Sequence, residues 1–273
     1  MAEVGVELRA ARHLLLGLDF DGTLAPIVPN PADASMPEDT RSTLKELASR
    51  PDITLAVVSG RGLPDLASRI GLDVILAGNH GFEISGAGFH FRHPLAENRQ
   101  TVLHGICAEI SRKSETIAGV LIEDKGLTAS VHYRGLDESG RERLFPIVRA
   151  AVEPAQKLFE IRQGKEVLEI VPRITWNKGF AVQWILDQVQ RKMNTTAVSV
   201  CYLGDDATDE NVFRAVDGVT ICVGDHGATS ARFVVRDELE AANFLRWLSS
   251  GFSAQYLTPA RDSPGSTLRS ASR

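Results

Sequence analysis

A chain of 273 residues, 43% hydrophobic and 24% charged, has the composition of a globular protein holding one large domain or two modest ones. Its 30 Lys and Arg against 35 Asp and Glu give a formal net charge of −5 without a dense basic stripe, which excludes a nucleic-acid binder but leaves room for an anionic small ligand met by a few local cations. No run approaches the roughly 18 apolar residues of a membrane span. The N-terminus carries Glu3, Glu7 and Arg9 in place of a secretory signal, and Cys107, Cys201 and Cys222 are widely spaced, so reduced thiols in the cytoplasm are the expectation.

The apolar run His13–Leu18 reads as a buried parallel strand, and it ends at Asp19-Phe20-Asp21-Gly22-Thr23. Gly22 permits a sharp departure into a loop. Ligands of open α/β sheets bind beyond the carboxyl ends of strands, so both carboxylates are expected in a crevice. A loop with Pro26, Pro29 and Pro31 follows, and then Ser35-Met36-Pro37-Glu38 reads as a capping box for a helix ending near Arg50-Pro51. Ile53–Val58 is a second buried strand, ending at Ser59-Gly60-Arg61. A short helix over Leu63–Ile70 leads to a third strand, Val74–Ala77, and then to Gly78-Asn79-His80-Gly81. A hairpin through Glu83 and Phe91, bending at Gly86 and Gly88, is expected next.

The middle third changes character. A helix from about Leu95 to Glu115 precedes strands Val120–Glu123 and Leu127–Tyr133, joined at Asp124-Lys125-Gly126. A second helix, with a capping box at Ser139-Gly140-Arg141-Glu142, precedes strands Leu158–Arg162 and Glu166–Val171, joined at Gln163-Gly164-Lys165. This is an αββ unit repeated once, with short hairpins that require antiparallel pairing. It predicts an inserted domain over 94–173 between core segments 1–93 and 174–249. In the last third Val182, Ile185, Leu186 and Val189 mark a helix beginning near Lys178. Ala197–Leu203 is a buried strand ending at Gly204-Asp205-Asp206-Ala207-Thr208-Asp209-Glu210. Val219–Val223 and Phe233–Val235 are further strands, and Ala241, Phe244, Leu245 and Leu248 mark a closing helix. Trp176, Trp184 and Trp247 are spaced as core residues. Residues 250–273, rich in Ser, Arg and Pro without periodicity, read as a disordered tail.

Singly, each polar feature has a plain structural reading: an Asp-x-Asp caps a turn, Ser59 turns before Gly60, Asp205 and Asp206 cap a helix. Together, Asp19/Asp21, Ser59, Lys178 and Asp205/Asp206 with Asp209 fall at separate strand ends or at a helix start. That set, in that order, resembles the haloacid dehalogenase-like phosphohydrolase superfamily, whose four motifs span nearly the whole chain. The resemblance implies a Rossmann-like α/β parallel-sheet core with an inserted α+β (αββαββ) cap domain closing over the site. It makes Asp19 the nucleophile, and an Asp of ordinary pKa near 3.9 is ionised at neutral pH without a partner base. Asp21 would protonate the leaving alcohol and then activate water, which requires surroundings that favour its protonated form. Three carboxylates beside a dianionic phosphate repel it, so Mg²⁺ is implied, held by Asp19, the backbone carbonyl of Asp21 and Asp205, with Asp206 or Asp209 in support. Ser59 would donate to a phosphoryl oxygen and Lys178 would neutralise transition-state charge. A Lys at a helix start opposes the macrodipole, so anionic neighbours are expected there.

Local strings narrow the resemblance. Ala77-Gly78-Asn79-His80-Gly81 with Glu83, Glu123-Asp124-Lys125-Gly126-Leu127, Val131-His132-Tyr133-Arg134, Gly164-Lys165-Glu166-Val167-Leu168-Glu169, Asn177-Lys178-Gly179 and the Gly204–Glu210 string resemble the trehalose-6-phosphate phosphatase family. The resemblance assigns Gly60, Arg61, Asn79 and His80 in the core, and Glu123, Lys125, His132, Arg134, Lys165 and Glu169 on the hairpins, to a sugar phosphate, with His132 and Arg134 on one strand face. The alternatives are a sucrose-phosphate or mannosyl-phosphoglycerate phosphatase, a phosphomutase, or a non-catalytic sugar-phosphate-binding regulator. No nucleic-acid or membrane partner is expected, and the oligomeric state is left open.

Overall fold

The computed structural model describes residues 4–5, 7–8, 12–164, 166–224, 227–251 and 269–270. These residues fall into two compact units, one within Met1–His90 and Trp176–Arg273, the other Phe91–Thr175.

The first unit is built on a sheet of order β13-β12-β11-β10-β1-β2-β3-β4-β5. Its strands are β1 (His13–Leu18), β2 (Ile53–Val58), β3 (Ile75–Gly78), β4 (Glu83–Gly86), β5 (Phe89–Arg92), β10 (Val198–Gly204), β11 (Gly218–Val223), β12 (Phe233–Val235) and β13 (Arg269–Ser270). The six strands from β12 to β3 are parallel. The continuous apolar run of β1 is explained by cover on both faces: all six residues are buried. Leu14, Leu16 and Leu18 share a core with Leu44 and Leu47 of helix Glu38–Ala48, Leu66 and Ile70 of helix Leu63–Ile70, and Phe244 and Leu248 of helix Glu238–Ser249. Helix Lys178–Met193 is capped by Asn177, whose side chain accepts from the Phe180 N–H, and ends at Asn194 in the left-handed region.

Three local expectations are corrected. Helix Glu38–Ala48 has Pro37 at its N-cap and no side-chain cap from Ser35, because Met36 is drawn into the core, 5% exposed. The helix expected from Ser139 begins at Glu138, capped by Asp137, whose carboxylate accepts from the Gly140 N–H at 2.7 Å. The long helix from Leu95 is two, Pro94–Glu97 and Gln100–Ser114, parted near Arg99, whose guanidinium is engaged by the Leu158 and Arg173 carbonyls. The tail falls mostly outside the described residues, but Arg269–Ser270 pairs antiparallel with β12.

The second unit is a wholly antiparallel sheet of order β6-β7-β9-β8, from β6 (Leu121–Asp124), β7 (Ala129–His132), β8 (Phe159–Gly164) and β9 (Val167–Pro172). Val131, Leu168, Ile170 and Phe159 form a core with Leu103, Ile106 and Ile110 of helix Gln100–Ser114 and Leu144 and Val148 of helix Glu138–Val152. Register lines up Glu123, Ser130, Glu169 and Arg162 across the four strands on one face.

Candidate active site

Register brings the motifs together. Leu18 pairs with Leu203 of β10 and with Val57 of β2, so the residues that follow β1, β2 and β10 emerge side by side at one sheet edge. The chain leaves β1 in a tight turn: Leu24 and Ala25 N–H groups donate to Phe20 O, and Gly22 N–H donates to Ala25 O at 2.7 Å. Gly22 has φ +79°, and a Cβ there would collide with the Asp205 carboxylate. That contact welds the first acidic loop to the last.

Lys178 is the pivot. Only 2% exposed, its Nζ lies 3.0 Å from Asp19 Oδ1 and 2.9 Å from Asp209 Oδ1. Burial works against its charge, but Asp19, Asp209 and Asp206 more than reverse this and raise its pKa well above the usual value. The anionic neighbours expected of a Lys at a helix start are therefore these aspartates. Burial raises Asp19 well above the ordinary carboxyl range, Lys178 opposing and Asp205 and Asp206 reinforcing. Burial likewise pushes Asp205 up to about 7, with Asp209 and Asp206 adding to the effect. Asp206 goes the other way, because Lys178 and hydrogen bonds from Thr208 and Asp209 outweigh its burial.

Asp19, Asp205 and Asp209 can each offer an oxygen within 4.8 Å of the others. Their hydrogen bonding separates them. Asp209 Oδ1 accepts from Lys178 Nζ and from the Tyr202 hydroxyl at 2.7 Å, while Oδ2 accepts from the Asp205 and Asp206 N–H groups, each at 3.2 Å. Its lone pairs are thereby committed to the protein. Asp205 Oδ1, by contrast, is buried and accepts no hydrogen bond from any described residue. A buried carboxylate oxygen with no donor, beside a second buried carboxylate, is a fit for a hard cation. Of the two residues proposed to support a metal, Asp209 acts as a brace and Asp206 stays half exposed, its Oδ1 accepting from the Thr208 hydroxyl at 2.6 Å.

Ser59 is 1% exposed, and its Oγ accepts from the Arg61 N–H at 3.2 Å, which leaves the hydroxyl hydrogen able to donate. His80 donates its backbone N–H to Ser59 O at 2.9 Å, and its ring packs where a Cβ on Gly60 would sit. Asn79, assigned to substrate from sequence, is fully buried, and its amide donates to Glu83 Oε1 at 2.6 Å. The same oxygen accepts from the Leu63 N–H at 2.9 Å, so Glu83 joins the loops after β2 and β3. Asn79, His80 and Gly81 are successive left-handed residues, a strained turn of the kind that surrounding structure must over-determine.

Arg61, also assigned to substrate, is engaged within the protein: its Nε and Nη2 donate to the two oxygens of Asp21, each at 2.7 Å. Both oxygens of Asp21 thus accept hydrogen bonds from Arg61. Tyr202 and the Arg61–Asp21 pairing are absent from the sequence reading, and Glu83 enters it only as part of a matching string, without a partner. One signal for Tyr202 was present: Gly17, alone inside an apolar strand, is where the Tyr202 ring packs, 2.6 Å from where its Cβ would lie.

In the second unit Glu123, His132 and Glu169 share the polar sheet face, with His132 Nε2 3.2 Å from Glu123 Oε2. Arg134 lies beyond β7 in a turn and pairs with Glu166 at 3.2 Å, so it does not share a strand face with His132. Lys125 is in the β6–β7 loop, its N–H donating to Thr128 O, and Lys165 lies outside the described residues. Trp247 is a core residue, whereas Trp176 is half-buried, stacked on the exposed Phe180, its indole N–H donating to Gly81 O at 2.9 Å.

The parallel core with an acidic loop beside its first strand is the fold of haloacid dehalogenase-like hydrolases. A solved hydrolase of that description from Bacteroides thetaiotaomicron is 16% identical and shares the fold at TM-score 0.60, over 86% of this chain and 99% of that one. The family model for trehalose-phosphatase matches residues 17–233, and the chain belongs to that family. It is 36% identical over 258 residues to a trehalose-phosphate phosphatase of Mycobacterium avium, covering 90% of this chain and 64% of that one. It therefore spans less than two thirds of that relative. A solved trehalose-6-phosphate phosphatase related protein is 25% identical, with TM-score 0.76 over 86% of this chain and 97% of that one. No helix among the described residues is long and apolar enough to cross a membrane.

Proposed function

We propose that the chain hydrolyses trehalose 6-phosphate to trehalose and phosphate, with Asp19 carrying the phosphoryl group between two half-reactions. The observation that carries this reading is the Asp19–Lys178–Asp209 contact beside the unsatisfied Asp205 oxygen, in a family whose relatives bear that activity in their names. Lys178 holds the Asp19 carboxylate in one orientation and meets the charge that gathers on the phosphoryl oxygens. Ser59 donates its hydroxyl hydrogen to one of those oxygens. Asp21 gives a proton to the leaving sugar oxygen and takes one back from the water that releases phosphate from Asp19. Mg²⁺, when bound to Asp19, Asp205 and the Asp21 carbonyl, supplies the positive charge that lets carboxylates and phosphate coexist.

Glu123, His132 and Glu169 on the polar sheet face, with Lys125, Lys165 and Arg134, read the sugar hydroxyls. Three buried free thiols accord with a reducing cytoplasm. Phosphate release from a panel of sugar phosphates tests the reading: trehalose 6-phosphate should give the highest kcat/KM, and a clear preference for a monosaccharide phosphate would refute it. Asp19→Asn should lower kcat by about 10⁴-fold or more while leaving the thermal transition in place.

A further inference from the structure

Arg61 is buried to 8% exposure, and what surrounds it is protein. Nε and Nη2 take the two oxygens of Asp21, Nη1 takes Asp65 Oδ2 at 2.8 Å, and Nη2 also donates to Pro31 O at 2.8 Å. The guanidinium lies 5.3 Å from the Phe20 ring centroid. Asp65 is gripped from its other side by Arg69 Nε at 2.9 Å, and Arg69 reaches the Ala32 and Ala34 carbonyls. Asp21 is therefore the inner end of a chain, Asp21–Arg61–Asp65–Arg69, that fastens the loop after β1 to helix Leu63–Ile70. An arginine kept to grip a substrate phosphate would leave its fork open to the site. This fork is spent on holding one carboxylate, at both oxygens, from a fixed base.

We infer that Arg61 is a positioning residue for Asp21: it sets the direction of that carboxyl toward the leaving sugar oxygen and does not itself bind the phosphoryl group. The inference rests on the reading of Asp21 as the group that passes a proton to the leaving alcohol. Two prongs matter here. When one Asp21 oxygen turns to the leaving group, the other keeps its hydrogen bond to Arg61, so the rotamer survives the step. A lysine offers a point charge without the planar fork and cannot hold direction in this way.

Leaving-group dependence separates the roles. An alkoxide leaving group needs the proton as the P–O bond breaks, whereas p-nitrophenolate departs without one. Arg61→Lys should lower kcat/KM for trehalose 6-phosphate, which reads phosphoryl transfer to Asp19, at least about tenfold and by no more than the roughly 10²–10⁴ that a positioned acid contributes, while kcat/KM for p-nitrophenyl phosphate falls far less. Asp21→Asn should show the same selectivity in kcat/KM, with kcat falling on both substrates because water attack on the Asp19 acyl phosphate is common to them, and the double variant should be no worse than Asp21→Asn alone. Asp65→Asn, which loosens only the outer anchor, should show a smaller loss of the same kind and stands in if Arg61→Lys does not fold. A rise in KM for both substrates at constant kcat would mean that Arg61 grips phosphate. An equal loss of kcat/KM on both would mean a merely structural role, and either result overturns the inference. If Asp21→Asn lacks selectivity, the reading of Asp21 falls first and the inference with it.

Discussion

Asp19, Lys178 and Asp209 in the first unit are at most 5% exposed and satisfy one another across 2.9 and 3.0 Å. On the sheet face of the second unit, Glu123 and His132 are 36% and 18% exposed and meet across 3.2 Å. Water can replace either partner in the second pair, whereas nothing can replace a partner in the first. Removing one member of a buried charge network leaves the others uncompensated, so such a network changes all at once or not at all. An exposed pair can drift one residue at a time at a cost near that of a surface ion pair. Under the proposed function, this places the chemistry in a network that resists piecemeal change and the reading of the sugar on a face that tolerates it.

The contrast can be broken most forcefully at Lys178. Lys178→Met should abolish turnover and destabilise the fold by about 3–5 kcal/mol, read from chemical denaturation, because Asp19 and Asp209 are left facing each other. A fold as stable as the parent would mean that the network is far wetter than its geometry indicates.

Metal addition should come next in size. Asp205 has a folded pKa of about 7 against an ordinary 3.8, so between those values the folded protein holds a proton that the unfolded chain has lost. Its contribution to stability therefore falls as pH rises through that window, on the order of a few kcal/mol at most. Magnesium should raise the melting temperature more at pH 8 than at pH 5, and an equal rise at both would contradict the assignment of Asp205.

The smallest effect should come from Glu123→Ala. A lost hydrogen bond to a sugar hydroxyl, about 1 kcal/mol, raises KM for the disaccharide phosphate several-fold and leaves p-nitrophenyl phosphate alone. Equal changes with both substrates would make that sheet face structural.

What was legible in the sequence was what short range decides. The β1 run announced a strand buried on both faces, and Val182, Ile185, Leu186 and Val189 announced the helix that starts at Lys178, because apolar continuity and helical spacing are properties of neighbouring residues. Where two caps compete within three positions, as Asp137 and Ser139 do, a difference of about 1 kcal/mol decides, and the pattern could not rank them. The partners of Arg61 and Glu83 were hidden for another reason. Arg61 meets Asp21 across 40 positions and Glu83 meets Leu63 across 20, so only the order of strands in the sheet brings them together. The resemblance assigned Arg61 and Asn79 to substrate without showing the protein partners their side chains take, Asp21 and Glu83, as buried polar groups take partners within reach.

The four acceptor contacts of Asp209 bear on the rhythm of turnover. By gathering the Asp205 and Asp206 amides onto one carboxylate, it shapes the acidic loop as a template before any ion or ester arrives. Ligands entering such a mould need not freeze it, and those leaving need not thaw it, so little conformational entropy is exchanged from one cycle to the next.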